Sequence, residues 1–186
     1  MSTYLVLLRG INVGGKNKVP MADLRECLEE LGFSDVSTYI ASGNVILDSD
    51  KRADEVAAQI EAALPARFRL DSELIRVLVL SHDQLRAVVD DKPAGFGEQP
   101  DTYLSDAIFL IGIDPSEAMT VFSPREGVDG VWPGDGVIYS QRLSAQRTKS
   151  RLGKIAGTPA YRSMTIRSWN TTTKLLELLD SRGSHR

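Results

Sequence analysis

The sequence is poor in the residues that carry most catalytic and cross-linking chemistry. It has one cysteine, Cys27, and two histidines, His82 and His185, in 186 residues. A single cysteine excludes an intrachain disulfide, and so few ligands exclude a Cys/His zinc cluster. The expectation is a reducing, cytoplasmic setting with no metal site. No apolar run approaches the roughly 20 residues of a membrane helix. The opening MSTYLVLLRGINVGG has no basic segment before its short apolar run, so a strand is expected there, not a secretory leader. Cys27 falls in a helical pattern with no histidine beside it, which argues against a nucleophile. His82 reads as part of a helix start and His185 as part of a frayed tail.

Acid is missing over a long stretch. Residues 136–176 hold eight cations (Arg142, Arg147, Lys149, Arg151, Lys154, Arg162, Arg167 and Lys174) and no Asp or Glu. Residues 1–135 hold 12 Lys+Arg against 23 Asp+Glu, and the chain nets −3. Two readings fit this asymmetry. The basic stretch meets an anionic partner, or it pairs with the acidic first part.

What is present is a regular succession of elements. Tyr4–Leu8 is a continuous apolar run, expected to be a central strand. Met21, Leu24, Leu28 and Leu31 share one face of a helix over 20–31, with Pro20 at its first position and Gly32 just past its end. Strands follow at 36–40 and 43–48, with residues 41–44 as a hairpin turn or a bulge. A helix over 53–68 contains Pro65, which predicts a break or an early end. A strand at 75–80 completes β-α-β-β-α-β. Ser81–Gln84 is a capping-box pattern opening a short helix. Residues 92–101 read as a linker. Strands at 107–111, 128–132, 137–140 and 164–169, a helix opened by Asp114-Pro115 and another at 150–156 repeat the order. A last helix spans 171–179. The expected class is α+β: two ferredoxin-like halves with an extra C-terminal helix. The expected division is an N-terminal subdomain over 1–81, a helix and linker over 82–102, and a second subdomain over 103–186.

The strongest candidate for a site is the loop Arg9-Gly10-Ile11-Asn12-Val13-Gly14-Gly15-Lys16-Asn17-Lys18. It joins a strand to a helix. Its glycines permit tight turns with outward-facing amides, and Arg9, Lys16 and Lys18 add positive charge. It is neither a Walker A loop nor a dinucleotide fingerprint, because the glycine spacing is wrong for both. A purely geometric role for the glycines is the competing reading. The second candidate is Trp169-Asn170-Thr171-Thr172-Thr173-Lys174, at a strand-to-helix junction with Asn170 or Thr171 as the expected cap. Residues 142–151 form a basic, hydroxyl-rich segment suited to phosphate contact or to a plain solvated surface. Asp129 and Asp135 bracket Trp132, which leaves paired-carboxylate or Mg²⁺ chemistry open, with turn formation favoured for Asp135.

Three motifs, RGINVGGKNKVPM, YIASGN and SWNTTTKL, together resemble a mostly bacterial family, domain of unknown function 1697. Its Arg-Gly-Ile-Asn-Val-Gly-Gly matches Arg9 to Gly15, and its Ser-Gly-Asn matches Ser42, Gly43 and Asn44. Its late Asn-Trp-Asn-Thr-x-x-Lys-Leu matches Trp169 to Leu175, with Ser168 where the family has Asn. The resemblance implies a two-part α+β fold of ferredoxin-like units and brings no activity, substrate or cofactor.

The reading that results is an anion-binding protein, its ligand a nucleotide or a nucleic-acid phosphate. Arg9, Asn12, Gly14, Gly15, Lys16 and Lys18 form one wall, Ser42 and Asn44 lie beside it, and Asn170, Thr172 and Lys174 contribute from the other half. An enzyme acting on a phosphorylated metabolite and a protein-interaction scaffold are the alternatives. The cofactor and the oligomeric state stay open, and no membrane partner is expected.

Overall fold

The computed structural model describes residues 1–71 and 75–183; His185 lies outside them. The chain divides into two compact units, Met1–Leu85 with Leu175–Arg186, and Arg86–Lys174.

The first unit is built on β1 (Ser2–Arg9), α1 (Met21–Glu30), β2 (Ser34–Tyr39), β3 (Asn44–Ser49), α2 (Ala53–Arg67) and β4 (Arg76–Ser81). Its antiparallel sheet has the order β2-β3-β1-β4, the strand order of a ferredoxin-like unit. The apolar run at the start is central, as expected: Leu5 to Leu8 are all buried. Val6, Leu8, Val45 and Leu47 form one sheet face, and Leu24, Leu28, Val56, Ile60 and Leu64 of the two helices cover it. Each such side chain contributes about 1.5–3 kcal/mol when fully buried.

Two local expectations need correction. Pro20 is the cap of α1 and not its first residue. Its carbonyl accepts the first helical hydrogen bond, from Leu24 N at 2.9 Å. Of the two outcomes expected at Pro65, a break does not occur, and α2 ends two residues later at Arg67. It sits in the last turn, where the loss of one N–H removes a single backbone bond. Gly32, at φ +91°, ends α1 in the left-handed conformation that glycine supplies without strain.

The second unit repeats the topology. The short helix α3 (His82–Asp90) leads to β5 (Tyr103–Leu110), α4 (Pro115–Met119), β6 (Asp129–Gly134), β7 (Val137–Leu143), β8 (Met164–Ser168) and α5 (Trp169–Gly183). The helices α3 and α5 that flank its strands each belong in part to both units. The sheet order is β6-β7-β5-β8. The chain is therefore an α+β protein of two ferredoxin-like halves with a C-terminal helix. Ser81 and Gln84 form the expected capping box: Ser81 N donates to Gln84 Oε1 at 2.9 Å, and Gln84 N to Ser81 Oγ at 3.2 Å. Asp135-Gly136 makes the two-residue hairpin, and Pro133 is tolerated because β6 is an edge strand. Ile108, Leu110, Ile138 and Met164 pack with Ala118 and Ile155.

The helix expected over 150–156 is replaced by three short 3-10 segments, Ser144–Lys149, Leu152–Gly157 and Pro159–Ser163. Ser150 and Thr158 are extended between them, and glycine and proline in this stretch penalise a continuous helix. Asp129 pins this region. Its Oδ2 accepts from Arg125 N and Arg151 N, each at 2.9 Å. Burial pushes its carboxyl up, but those two amides and the Ser150 hydroxyl outweigh it and hold the pKa below the usual value. The stabilisation is complete above the ordinary carboxylate pKa and is lost as pH falls through the depressed one. Asp129→Ala is expected to cost about 1–3 kcal/mol at neutral pH, and less in acid, when denaturant unfolding is followed at both pH values.

Candidate functional site

The loop of residues 9–18 is braced from within. Asn12 adopts φ +53°. Its Nδ2 donates to Val19 O and Ala41 O, both at 2.9 Å, and its Oδ1 accepts from Val19 N at 2.8 Å. All the hydrogen-bonding groups of this side chain hold structure. Asn17 is buried; its Nδ2 donates to Gly10 O at 2.8 Å. Its backbone N donates to Asp71 Oδ2 at 2.8 Å, and Asp71 N donates to its Oδ1 at 2.7 Å. The sequence reading did not single out Asn17 or Asp71. An asparagine in a glycine-rich loop, a residue type that tolerates the φ of +49° found at Asn17, is the signal that could have found it; Asp71, 54 residues on, carries none.

The bracing carries through to the turn between β2 and β3. The Asn12 contact to Ala41 O links the two segments. Asn44 is fully buried, and its Nδ2 donates to Tyr39 O and to Ser42 Oγ. Ser42 and Asn44 therefore lie beside the loop, Asn44 bracing the turn from inside and Ser42 exposed on it. Gly43, at φ +80°, approaches the loop so closely that a Cβ would stand 2.9 Å from Ile11 Cδ1.

Four residues project from this frame. Val13, Gly14, Gly15 and Lys16 form a tight turn closed by Lys16 N to Val13 O at 3.0 Å. Gly14 and Gly15 have φ +58° and +76°, the pattern of a type I′ turn. Val13 is 64% exposed, an unusual position for a valine. Among the described residues the amides of Gly14 and Gly15 donate no hydrogen bond, and no carboxylate pairs with Lys16 or Lys18. Arg9 is half-buried at the base.

The candidate residues of the late motif, Asn170, Thr172 and Lys174, belong to the second unit. Ser168 caps α5, where Asn170 or Thr171 was expected to: Thr171 N donates to Ser168 Oγ at 3.1 Å. The helix accordingly starts two residues earlier than its apolar pattern suggests. Thr172 is fully buried and donates to Ser168 O at 2.9 Å, so it holds the first turn. Lys174 is half-buried. Asn170 is exposed, and its carboxamide makes no hydrogen bond among the described residues.

Asn170 lines a pocket of about 370 Å³, together with Tyr103, Ser105, Ser168, Trp169 and Thr173. Tyr103 and Trp169 are its aromatic lining, and two further rings pack behind Trp169. Phe96 meets Trp169 edge-on at 5.0 Å between centroids and Tyr139 at 5.4 Å. Tyr139 donates its hydroxyl to Val88 O, and burial, helped by the negative charge of Asp91, pushes its pKa up to about 12. Gly97 lies against the indole. The sequence reading missed Tyr103 and Ser105, because they fall where a linker was expected to pass into a strand.

Cys27 is buried, and that burial raises its thiol pKa, against the Arg67 charge. Among the described residues no group of three metal-ligating side chains occurs, and no helix is long and apolar enough to cross a membrane.

The family model described as protein of unknown function (DUF1697) matches residues 1–139. A solved structure of a conserved bacterial protein from Streptococcus pneumoniae is 30% identical, with a TM-score of 0.80 over 96% of this chain and 98% of that one. No curated protein matches. The chain belongs to the DUF1697 family.

Proposed function

We propose that this member of a family of unknown function binds a small phosphate-bearing ligand of nucleotide size at the N-terminus of α5. The observation that carries the reading is the free carboxamide of Asn170 in a pocket of about 370 Å³ at the start of a 15-residue helix. That volume lies within the range of small-molecule sites. The helix start carries roughly half a positive charge, which favours an anion over a neutral ligand. Tyr103 and Trp169 add aromatic surface against which a base can stack.

In the first unit, the free amides of Gly14 and Gly15 with Lys16 and Lys18 form a separate anion-receiving surface. Arg9 adds charge at its base, while Asn12, Ser42 and Asn44 keep the turn in shape. Thr172 does the same for α5, and Lys174 adds a cation in its second turn. A cytoplasmic setting fits a buried free thiol and needs no disulfide.

Calorimetric titration of the full chain with adenosine monophosphate tests the pocket. Asn170→Asp sets a like charge against the phosphate and is expected to weaken binding at least tenfold. Lys16→Glu with Lys18→Glu is expected to weaken the binding of inorganic polyphosphate and flatten its salt dependence. Equal affinity of wild type and Asn170→Asp for the monophosphate contradicts the reading, as does the absence of saturable binding at millimolar concentrations.

A further inference from the structure

The second unit has another pocket, lined by groups that the reading above does not use. It measures about 120 Å³ and is open to solvent. Asp106, Ser140 and Arg142 form its polar side, and Ile108, Leu152 and Ile155 its apolar side.

The sheet register sets the polar groups in place. Asp106 on β5 pairs directly with Ser140 on β7, and Arg142 lies two residues further along β7. All three project from the same face, because side chains alternate along a strand. Diagonal neighbours in such a sheet stand roughly 7–8 Å apart at the backbone. Among the described residues Asp106 and Arg142 form no direct salt bridge. Arg142 Nε is buried and has no hydrogen-bond partner. Asp129 faces Arg142 from β6 and is held by the amides of Arg125 and Arg151. Burial raises the pKa of Asp106, with the Arg142 charge opposing. A half-sequestered acid and an arginine with an unused donor thus share one small cavity without satisfying each other.

We propose that this pocket binds a small aliphatic zwitterion of the α-amino-acid class. The ligand's carboxylate would accept from Arg142, its ammonium would donate to Asp106 and Ser140, and its side chain would lie on Ile108, Leu152 and Ile155. A group of water size needs about 10–15 Å³ of such space, so the cavity takes on the order of eight heavy atoms, the size of valine. Opposite charges at the two poles select for a ligand with both. A plain carboxylate of the same shape faces Asp106 with nothing to offer it, and a plain amine faces Arg142 in the same way.

Heteronuclear NMR titration of the full chain tests this, with L-valine as the probe and isovalerate and isobutylamine as the single-charge controls. Valine is expected to shift the amides of residues 106, 140, 142 and 152–155 saturably, and to bind at least tenfold more tightly than either control. Asp106→Asn, which keeps the shape of the side chain, is expected to weaken valine tenfold or more. Ser140→Ala is expected to weaken it severalfold, and serves as the second variant if Asp106→Asn is misfolded. Valine binding no better than its controls, or an affinity untouched by the folded variants, overturns the proposal.

Discussion

Gly97→Val is expected to lower stability by about 2–5 kcal/mol and to close the pocket beside Asn170. Two penalties act at the one position. Gly97 has φ +74°, and a Cβ there would stand 2.3 Å from Trp169 Cδ1 and 2.4 Å from Nε1. The indole has little room to yield, because Phe96 and Tyr139 both pack against it edge-on. Left-handed backbone costs a non-glycine residue roughly 1–2 kcal/mol, and overpacking typically another 1–3. That is a large share of the roughly 5–15 kcal/mol that holds an ordinary domain. Gly95→Ala separates the two penalties. Gly95 has φ +79° with nothing within 4 Å of its Cβ position, so it carries backbone strain alone. Thermal unfolding followed by circular dichroism is expected to rank wild type above Gly95→Ala, and Gly95→Ala above Gly97→Val.

The second large effect is expected at Asn12. Asn12→Ala removes three hydrogen bonds, two to Val19 and one to Ala41 O. At about 0.5–1.5 kcal/mol for each bond, the loss comes to roughly 2–4 kcal/mol. Asn12→Asp keeps the acceptor for Val19 N and loses both donors, so it falls between. Lys16→Glu, four residues on at the exposed tip, is expected to stay within about 0.5 kcal/mol of wild type. Urea unfolding of the three variants therefore separates the asparagine that shapes the loop from the lysine that faces solvent.

Much of this was legible in the sequence because it depends on local patterns. The continuous apolar run Tyr4–Leu8 announced a central strand, and helical spacing announced α1 and α2. Ser81 and Gln84 announced a capping box, and residues 133–136 a turn, of which the strands leave only Asp135-Gly136 unpaired. The stretch after β7 was not legible. Apolar residues at Leu152 and Ile155 mimic a helical spacing, while Gly153, Gly157 and Pro159 limit the chain to 3-10 turns. Ser168 was overlooked as a cap because the threonines after it offered equally good candidates.

The site was legible as motifs but not as roles. A sequence shows that Asn12, Asn44 and Asn170 are asparagines in polar turns. It does not show that the first two spend their amides on backbone while the third keeps its own free. That difference rests on burial and on partners 5–29 residues away. Asp106 and Arg142 were hidden for a similar reason. They are 36 positions apart, and only the pairing of β5 with β7 brings them to one face.

An anion settled at the first turn of α5 is the central feature of the proposed site. A crystal structure of the full chain grown with adenosine monophosphate, in a medium free of sulfate and inorganic phosphate, measures this directly. The predicted result is phosphate density within hydrogen-bonding distance of Asn170 Nδ2 in wild type, and none there in Asn170→Asp. Wild-type crystals with that pocket empty and the nucleotide bound elsewhere would contradict it.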